Sequence, residues 1–409
     1  ISDWLFGVNY WFPRVLGIAV QSAGIFWLFK IATNTMDHRA GMFAIMFYGL
    51  SLLWRSTGGK YVSYTETYAI TCIIISVYFS IVCSAKRHAF IGGVFSGLGL
   101  GFRLTAIFGI LPMMIFTLKK DSKSALYYFG GIMASIAFLI LSFSLAGIKV
   151  NDFLFYGLAD NFGAGSVTAR SFAWKSQQFA NGFFYSEIIL FYPAIIVYFI
   201  LKRKIDFLEA WLVSEFCGII ILGTYDPSHF KNLLPVMSLI SAFVVSYLIK
   251  EYHAPLKYML LIMGFVFFPK TFEPLFAAKK FFLRSSPSKP RTKTDFDGQT
   301  GKREAGLWIR SHTLSNDKVF VAGYCAEVML YSERVSPSIY FNATQTLFAK
   351  KHLFVDLLSE EPAMILIPLS ESYSTSVDSD IRLFIRGLVG RDYKFDTCVY
   401  NYSVYRHRR

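Results

Sequence analysis

The chain has 409 residues, 54% of them hydrophobic and 18% aromatic, with a mean hydropathy of +0.43, which excludes an ordinary soluble domain. Its formal charge of +14 would suit nucleic acid, but the basic residues are scattered in short segments between apolar runs. That pattern belongs to membrane orientation and excludes a nucleic-acid partner. Several runs reach the roughly 18 apolar residues that carry a helix across a bilayer, so the chain reads as a multi-pass membrane protein.

The first residue is Ile1, and no leader or anchor precedes Trp4, so the natural N-terminus is expected upstream. About ten spans can be drawn, near 13–33, 39–55, 65–84, 88–102, 103–118, 122–147, 184–202, 207–224, 229–250 and 255–272. The two that meet at Phe102-Arg103 are short and carry Gly92, Gly93, Gly97, Gly99 and Gly101. These glycines either weaken a straight helix, giving one broken or re-entrant element, or let neighbouring helices approach closely. Cys72, Cys83 and Cys217 lie inside spans as small packing residues, whereas Cys325 and Cys398 lie in the polar tail and could pair only in an oxidising compartment.

One set of short loops holds Lys30, Arg39, Lys86, Arg87, Lys119, Lys120, Lys123, Lys202, Arg203, Lys204, Lys250 and Lys257, and is expected to be cytoplasmic. The other side then receives the Arg55–Tyr64 loop, residues 148–183, the polar break Thr224–Asn232 and everything after Lys270. The 148–183 stretch mixes Phe153, Phe155, Tyr156, Phe162, Trp174 and Phe179 with charged residues. It reads as short helices in the headgroup layer or as a lid over a substrate. Residues 1–272 are thus expected to form the membrane domain and 273–300 a Ser-, Pro- and Lys-rich linker. Residues 301–409 are expected to form an extracytoplasmic domain.

In that tail, Gly301–Thr313, Ala326–Ser332, Leu347–Leu358 and Ile381–Val389 read as helices, and Lys318–Ala322 and Met364–Ile367 as buried strands. Tyr393–Tyr400 and Tyr402–Arg406 suggest a closing hairpin about Asn401. Alternating helices and short strands argue for an α/β layer.

No phosphate-binding glycine loop, no His pair at metal-ligand spacing and no Gly-x-Ser-x-Gly is present, which argues against a cytoplasmic nucleotide-driven mechanism. What the outer side does carry is ionisable residues at the ends of spans. Arg14 opens the first span, Glu66 opens the third, and Arg103 sits between two apolar runs. Asp226, His229 and Lys231 crowd the polar break before the ninth. An unpaired Arg in lipid is costly, so Arg103 is expected to meet an anion: Glu66, Asp226 or a phosphate. A first-turn Glu or a snorkelling Arg is the structural alternative.

The order of these features resembles the GT-C glycosyltransferases. The Phe6-Gly7…Arg14 lead-in, Tyr64-Thr65-Glu66, Arg103-Leu104-Thr105 and His229-Phe230-x-x-x-Leu234-Pro235 recur in that order in the protein mannosyltransferase, aminoarabinose transferase and RgtA/B/C/D-like group. In the tail, Trp308-Ile309-Arg310, Asp317–Gly323, Tyr331-Ser332-Glu333-Arg334 and Pro362–Pro368 also fit. The resemblance implies a polytopic α-helical membrane domain of GT-C type, lacking its first span, plus a small C-terminal α/β soluble domain.

It also implies inverting transfer of a sugar from a polyprenyl-phosphate donor to an extracytoplasmic glycan, lipid or protein, in a bacterial or archaeal membrane. Arg14, Arg103 and Lys231 would hold the donor phosphate. Glu66, Asp226 and His229 would position the acceptor or hold a divalent cation, a cofactor the pattern leaves open. The family's catalytic Asp follows its first span and is expected upstream of residue 1, so no base is assigned. The rival reading is a transporter or lipid flippase, which would need midplane polar groups and usually internal repeats; no repeat is visible.

Overall fold

The computed structural model describes residues 11–54, 65–145, 172–202, 206–222, 225, 227–253, 300–323, 326–338, 347–369 and 379–408. They fall into two compact units, one helical and one C-terminal. The expected span 255–272, residues 273–299 of the expected linker and the boundary between the units lie outside the described residues, and Thr300, expected in the linker, opens a helix.

The helical unit contains α1 (Trp11–Thr35), α2 (His38–Ser51), α3 (Thr65–Val77, prolonged by a π turn Tyr78–Val82), α4 (Lys86–Phe102) and α5 (Ile107–Lys120). It continues through α6 (Ser122–Leu145), α7 (Phe172–Phe183), α8 (Tyr192–Leu201), α9 (Phe207–Leu222) and α10 (Leu234–Glu251). The segments Val15–Thr35, Thr65–Val82, Ser122–Leu145 and His229–Glu251 are each long and apolar enough to cross a membrane. The pair Lys175–Phe183 and Glu187–Leu201, bent by 46°, adds a fifth if it forms one span. The protein is an integral multi-pass membrane protein.

The other spans drawn from the sequence are helices of 14, 17, 14 and 16 residues, α2, α4, α5 and α9. At ~1.5 Å per residue they reach about 21–26 Å, short of a ~30 Å hydrocarbon core. The break at Phe102-Arg103 separates two helices that both touch α6 but differ otherwise: α4 packs on α6 and α3, and α5 on α9 and α6.

Sequence punctuation sets the ends. Asp37 caps α2 by accepting from Ala40 N at 2.7 Å, and its other carboxylate oxygen takes the Ser246 hydroxyl of α10 at 2.7 Å. Asp206 and Glu209 form a reciprocal cap on α9: Asp206 Oδ1 accepts from Leu208 N at 2.9 Å, and Glu209 Oε2 from Asp206 N at 2.8 Å. Asp121, a single extended residue, ends α5 and accepts from Lys123 N and Ser124 N at the start of α6.

The glycines of α4 serve close approach. A Cβ on Gly93 would lie 1.9 Å from Tyr128 O, and one on Gly131 of α6 would lie 2.1 Å from Phe90 O, so α4 and α6 touch backbone to backbone. A buried chain of hydroxyls ties the same helices to α3: Ser76 Oγ to Ser96 Oγ at 2.7 Å, and Ser96 Oγ to Tyr128 OH at 2.6 Å. Cys72 is buried as expected, whereas Cys217 is exposed on α9 and Cys83 follows the π turn. Cys325 lies outside the described residues.

Helix α10 is wrapped on most sides, while α6 turns Leu126, Phe129, Phe138 and Leu145 outward, as a lipid-facing helix does. Phe179 and Phe183 of α7 point inward. Phe179 stacks on Phe183 at 5.4 Å and meets Phe230 at 6.4 Å, and Phe183 meets Phe216 at 5.3 Å. This part of the long aromatic stretch is core, because residues three and four apart on a helix share one face; residues 148–171 lie outside the described residues.

The C-terminal unit contains α11 (Thr300–His312), β1 (Val319–Val321), α12 (Ala326–Ser332), α13 (Leu347–Glu360), β2 (Met364–Pro368), α14 (Ser379–Asp392), β3 (Tyr393–Val399) and β4 (Tyr402–His407). The sheet order is β1-β2-β4-β3, with β1 parallel to β2 and the other pairs antiparallel. Tyr400 turns the hairpin with a positive φ of 51°. One apolar layer packs α13 and α14 around Phe320 and Ile365, and the other packs α11 around Val319, Val321 and Leu366.

Candidate functional site

Glu66 stands in the first turn of α3, Arg103 at the break between α4 and α5, and His229 and Lys231 in the 3-10 turn Pro227–Leu233 that leads into α10. Each position has a local cause. Arg103 is extended, with φ −160° and ψ 125°, and its N–H still bonds Gly99 O, so the chain leaves one helix and starts the next at this residue. Pro235 sits in the first turn of α10, where its missing N–H is no loss.

These side chains meet. The Arg103 guanidinium forms an ion pair with Glu66 and donates from Nη2 to His229 Nδ1 at 2.5 Å. Because the guanidinium can only donate, Nδ1 is the acceptor and the ring proton belongs on Nε2. His229 Nδ1 lies 3.9 Å from Glu66 Oε1. Lys231, 2% exposed, donates from Nζ to Thr67 Oγ1 at 2.8 Å, beside Glu66, itself 6% exposed.

The structure therefore brings together four of the six residues singled out from the sequence. Asp226 lies outside the described residues, as does the side chain of Arg14, which stands in the first turn of α1.

One residue escaped the sequence reading. Glu215 of α9 is 4% exposed and lines a small cavity with Arg103, Thr105, Trp211 and Asn232. Its Oε1 accepts from Trp211 Nε1 at 3.2 Å, and Arg103 and the Asn232 side chain act on it. The cavity has room for about one water, and Thr105 Oγ1 at its edge lacks a protein partner. The signal was available: a carboxylate inside an apolar run is costly and marks a site by default.

No set of three His, Cys, Asp or Glu side chains among the described residues is arranged to hold a metal ion. Glu66 and His229 are bridged by a guanidinium, whose charge opposes a cation there, so as they stand they do not fit a divalent ion.

No protein-family model matches the sequence, and no curated protein matches it. Among solved structures, the chain is similar to ArnT from Cupriavidus metallidurans bound to undecaprenyl phosphate, at 12% identity and a TM-score of 0.60. That match covers 99% of this chain and 85% of ArnT. The Archaeoglobus fulgidus oligosaccharyltransferase in complex with Zn and sulfate matches at 12% identity and a TM-score of 0.47, over 97% of this chain and 61% of its own. The ArnT match speaks to fold alone: the chain has the GT-C-type fold, with a polytopic helical domain and a small C-terminal α/β domain.

Proposed function

We propose that the protein is an integral-membrane glycosyltransferase that moves a sugar from a polyprenyl-phosphate donor to a glycan, lipid or protein outside the cytoplasm, with inversion. The observation that carries this reading is the Glu66–Arg103–His229 cluster at one end of the helical unit. The fold is that of ArnT, a protein described bound to undecaprenyl phosphate. In this reading Arg103 presents its remaining N–H edge to the donor phosphate, a geometry guanidinium groups favour. Glu66 and His229 fix the plane of that edge. Lys231, buried against Thr67, supplies a second positive charge behind it, and Arg14 and Asp226 are further substrate-binding residues in the same proposal. Inversion requires a base beside the acceptor hydroxyl, a role assigned to none of the described residues. The C-terminal domain faces the outside of a bacterial or archaeal membrane.

The test uses the natural full-length protein in proteoliposomes with polyprenyl-phosphate sugars as donors. Arg103→Ala is expected to abolish transfer, and Arg103→Lys to retain the fold, by its thermal midpoint, while transfer falls about tenfold or more. Undiminished transfer by Arg103→Ala removes the phosphate role. Passage of solute across the vesicles without sugar transfer supports the transporter reading instead.

A further inference from the structure

The C-terminal unit contains a polar cavity of about 370 Å³. It lies where three chain segments end: Glu361 just past α13, Arg391 and Asp392 closing α14, and His407 and Arg408 closing β4. Those segments are stitched together. Tyr393 OH donates to Pro362 O at 2.8 Å, His407 N to Ala363 O at 3.2 Å, and Arg408 N to Asp392 O at 2.9 Å. The Tyr393 and His407 rings meet edge to face at 5.0 Å. The cavity is therefore preformed, which lowers the ordering cost of a ligand. Its size is within the range of small-ligand sites.

The chemistry of the walls selects the ligand class. Arg391 grips Asp392 with two parallel bonds, Nε to Oδ1 at 2.8 Å and Nη2 to Oδ2 at 2.7 Å. Arg408 is spent on carbonyls, with Nε to Tyr393 O at 2.9 Å and Nη2 to Gly390 O at 3.4 Å. Asp392 already neutralises Arg391 and Glu361 balances Arg408, so the wall offers no net charge to draw a phosphate or carboxylate ligand.

A hydroxyl need displace nothing. The carboxylate oxygens keep spare lone pairs and the guanidinium keeps spare N–H groups, side by side in one plane, which matches adjacent hydroxyls that each donate and accept. Glu361 adds a second carboxylate at the rim. Its φ of 39° puts it in the left-handed region after a helix, a place that ordinarily takes Gly, and such strain concentrates where a side chain has a task. Leu357 and Leu388 add apolar lining for the C–H face of a ring.

We infer that this cavity binds the ring of a neutral sugar, held by the Arg391–Asp392 fork and Glu361. The site stands apart from the transfer chemistry proposed above and does not rest on it.

The experiment is saturation-transfer NMR on the full chain in detergent micelles. The probes are D-mannose, D-galactose and N-acetylglucosamine, with glucuronate and inorganic phosphate as anionic counterparts. At least one neutral sugar is expected to bind in the millimolar range. Asp392→Asn is expected to weaken it about tenfold, the loss of a charge-assisted bond. Leu358→Trp, at an exposed position on the cavity wall, is expected to block it by filling the space. Arg103→Lys is expected to leave it unchanged. Should Asp392→Asn fail to fold, by its thermal midpoint, Leu358→Trp decides alone. Binding of the anions only, no saturation of any neutral sugar, or neutral-sugar binding indifferent to Leu358→Trp overturns the inference. Any of these would leave the transferase reading standing if donor turnover persists.

Discussion

At one end of the helical unit Glu66, Arg103, His229 and Lys231 turn toward each other and are mostly hidden. At the other, Arg39, Lys86, Arg87, Lys119, Lys120, Lys123 and Lys250 stand exposed. The ends are well defined, because α3, α4 and α10 each run from one to the other. Asp37 bonded to Ser246, and Lys120 Nζ donating to Cys83 O at 2.7 Å, knit the exposed end. Basic residues in water need no partner and serve orientation. Charges withdrawn from water cost several kcal/mol each before pairing repays part of it, so the cluster contributes little to stability, in keeping with the ligand role proposed for it.

The largest effect is expected from removing one inward charge. Glu66→Gln leaves Arg103 and Lys231 without their shared counter-charge and should cost about 3–5 kcal/mol in detergent unfolding. The exposed Lys123→Ala should stay within about 0.5 kcal/mol. Equal losses at the two positions would erase the distinction. A smaller effect comes from the packing that aligns the helices. Gly93→Val drives its Cβ into the Tyr128 backbone and should cost about 1–3 kcal/mol, seen as a lowered thermal midpoint. An unchanged midpoint would show that α4 and α6 are free to part.

The mildest probe belongs to the exposed end. Burial works against the Asp37 carboxylate, but hydrogen bonds from Ala40 and Ser246 outweigh it and hold its pKa below the ordinary value of about 3.9. Its stabilisation is therefore complete above the unfolded value and is lost as pH falls through the lowered folded one. Asp37→Asn should flatten that acid limb of the melting curve, by about 1 kcal/mol or less. A limb as steep as in the parent protein would place the acid sensitivity elsewhere.

Much of the architecture was legible because hydropathy and punctuation act locally. Residues 122–147 announced α6 by length alone, and the run from Lys318 to Ala322 announced β1 by its Val-Phe-Val centre. The hairpin about Asn401 followed from two β-rich runs around a turn. Arg103 pairing with Glu66 was one of three options that the cost of a lone Arg allowed, and only the fold could choose among them. Glu215 stands in mid-run rather than at the end of a span, so only the cost of a carboxylate inside an apolar helix marks it. The inward turn of Phe179 and Phe183 was hidden for a different reason: aromatics suit both a headgroup layer and a core, and composition does not separate the two.

The buried hydroxyl trio of Ser76, Ser96 and Tyr128 has a consequence at a distance. Ser76 is ten residues, about 15 Å, along α3 from Glu66, and Ser96 is seven residues, about 10 Å, along α4 from Arg103. Turning either helix by a single position swings its serine roughly 100° out of line and carries the distant charge with it. The trio works as an indexing pin: it fixes how each rod is clocked about its own axis, so that an acid and a base on separate rods arrive face to face.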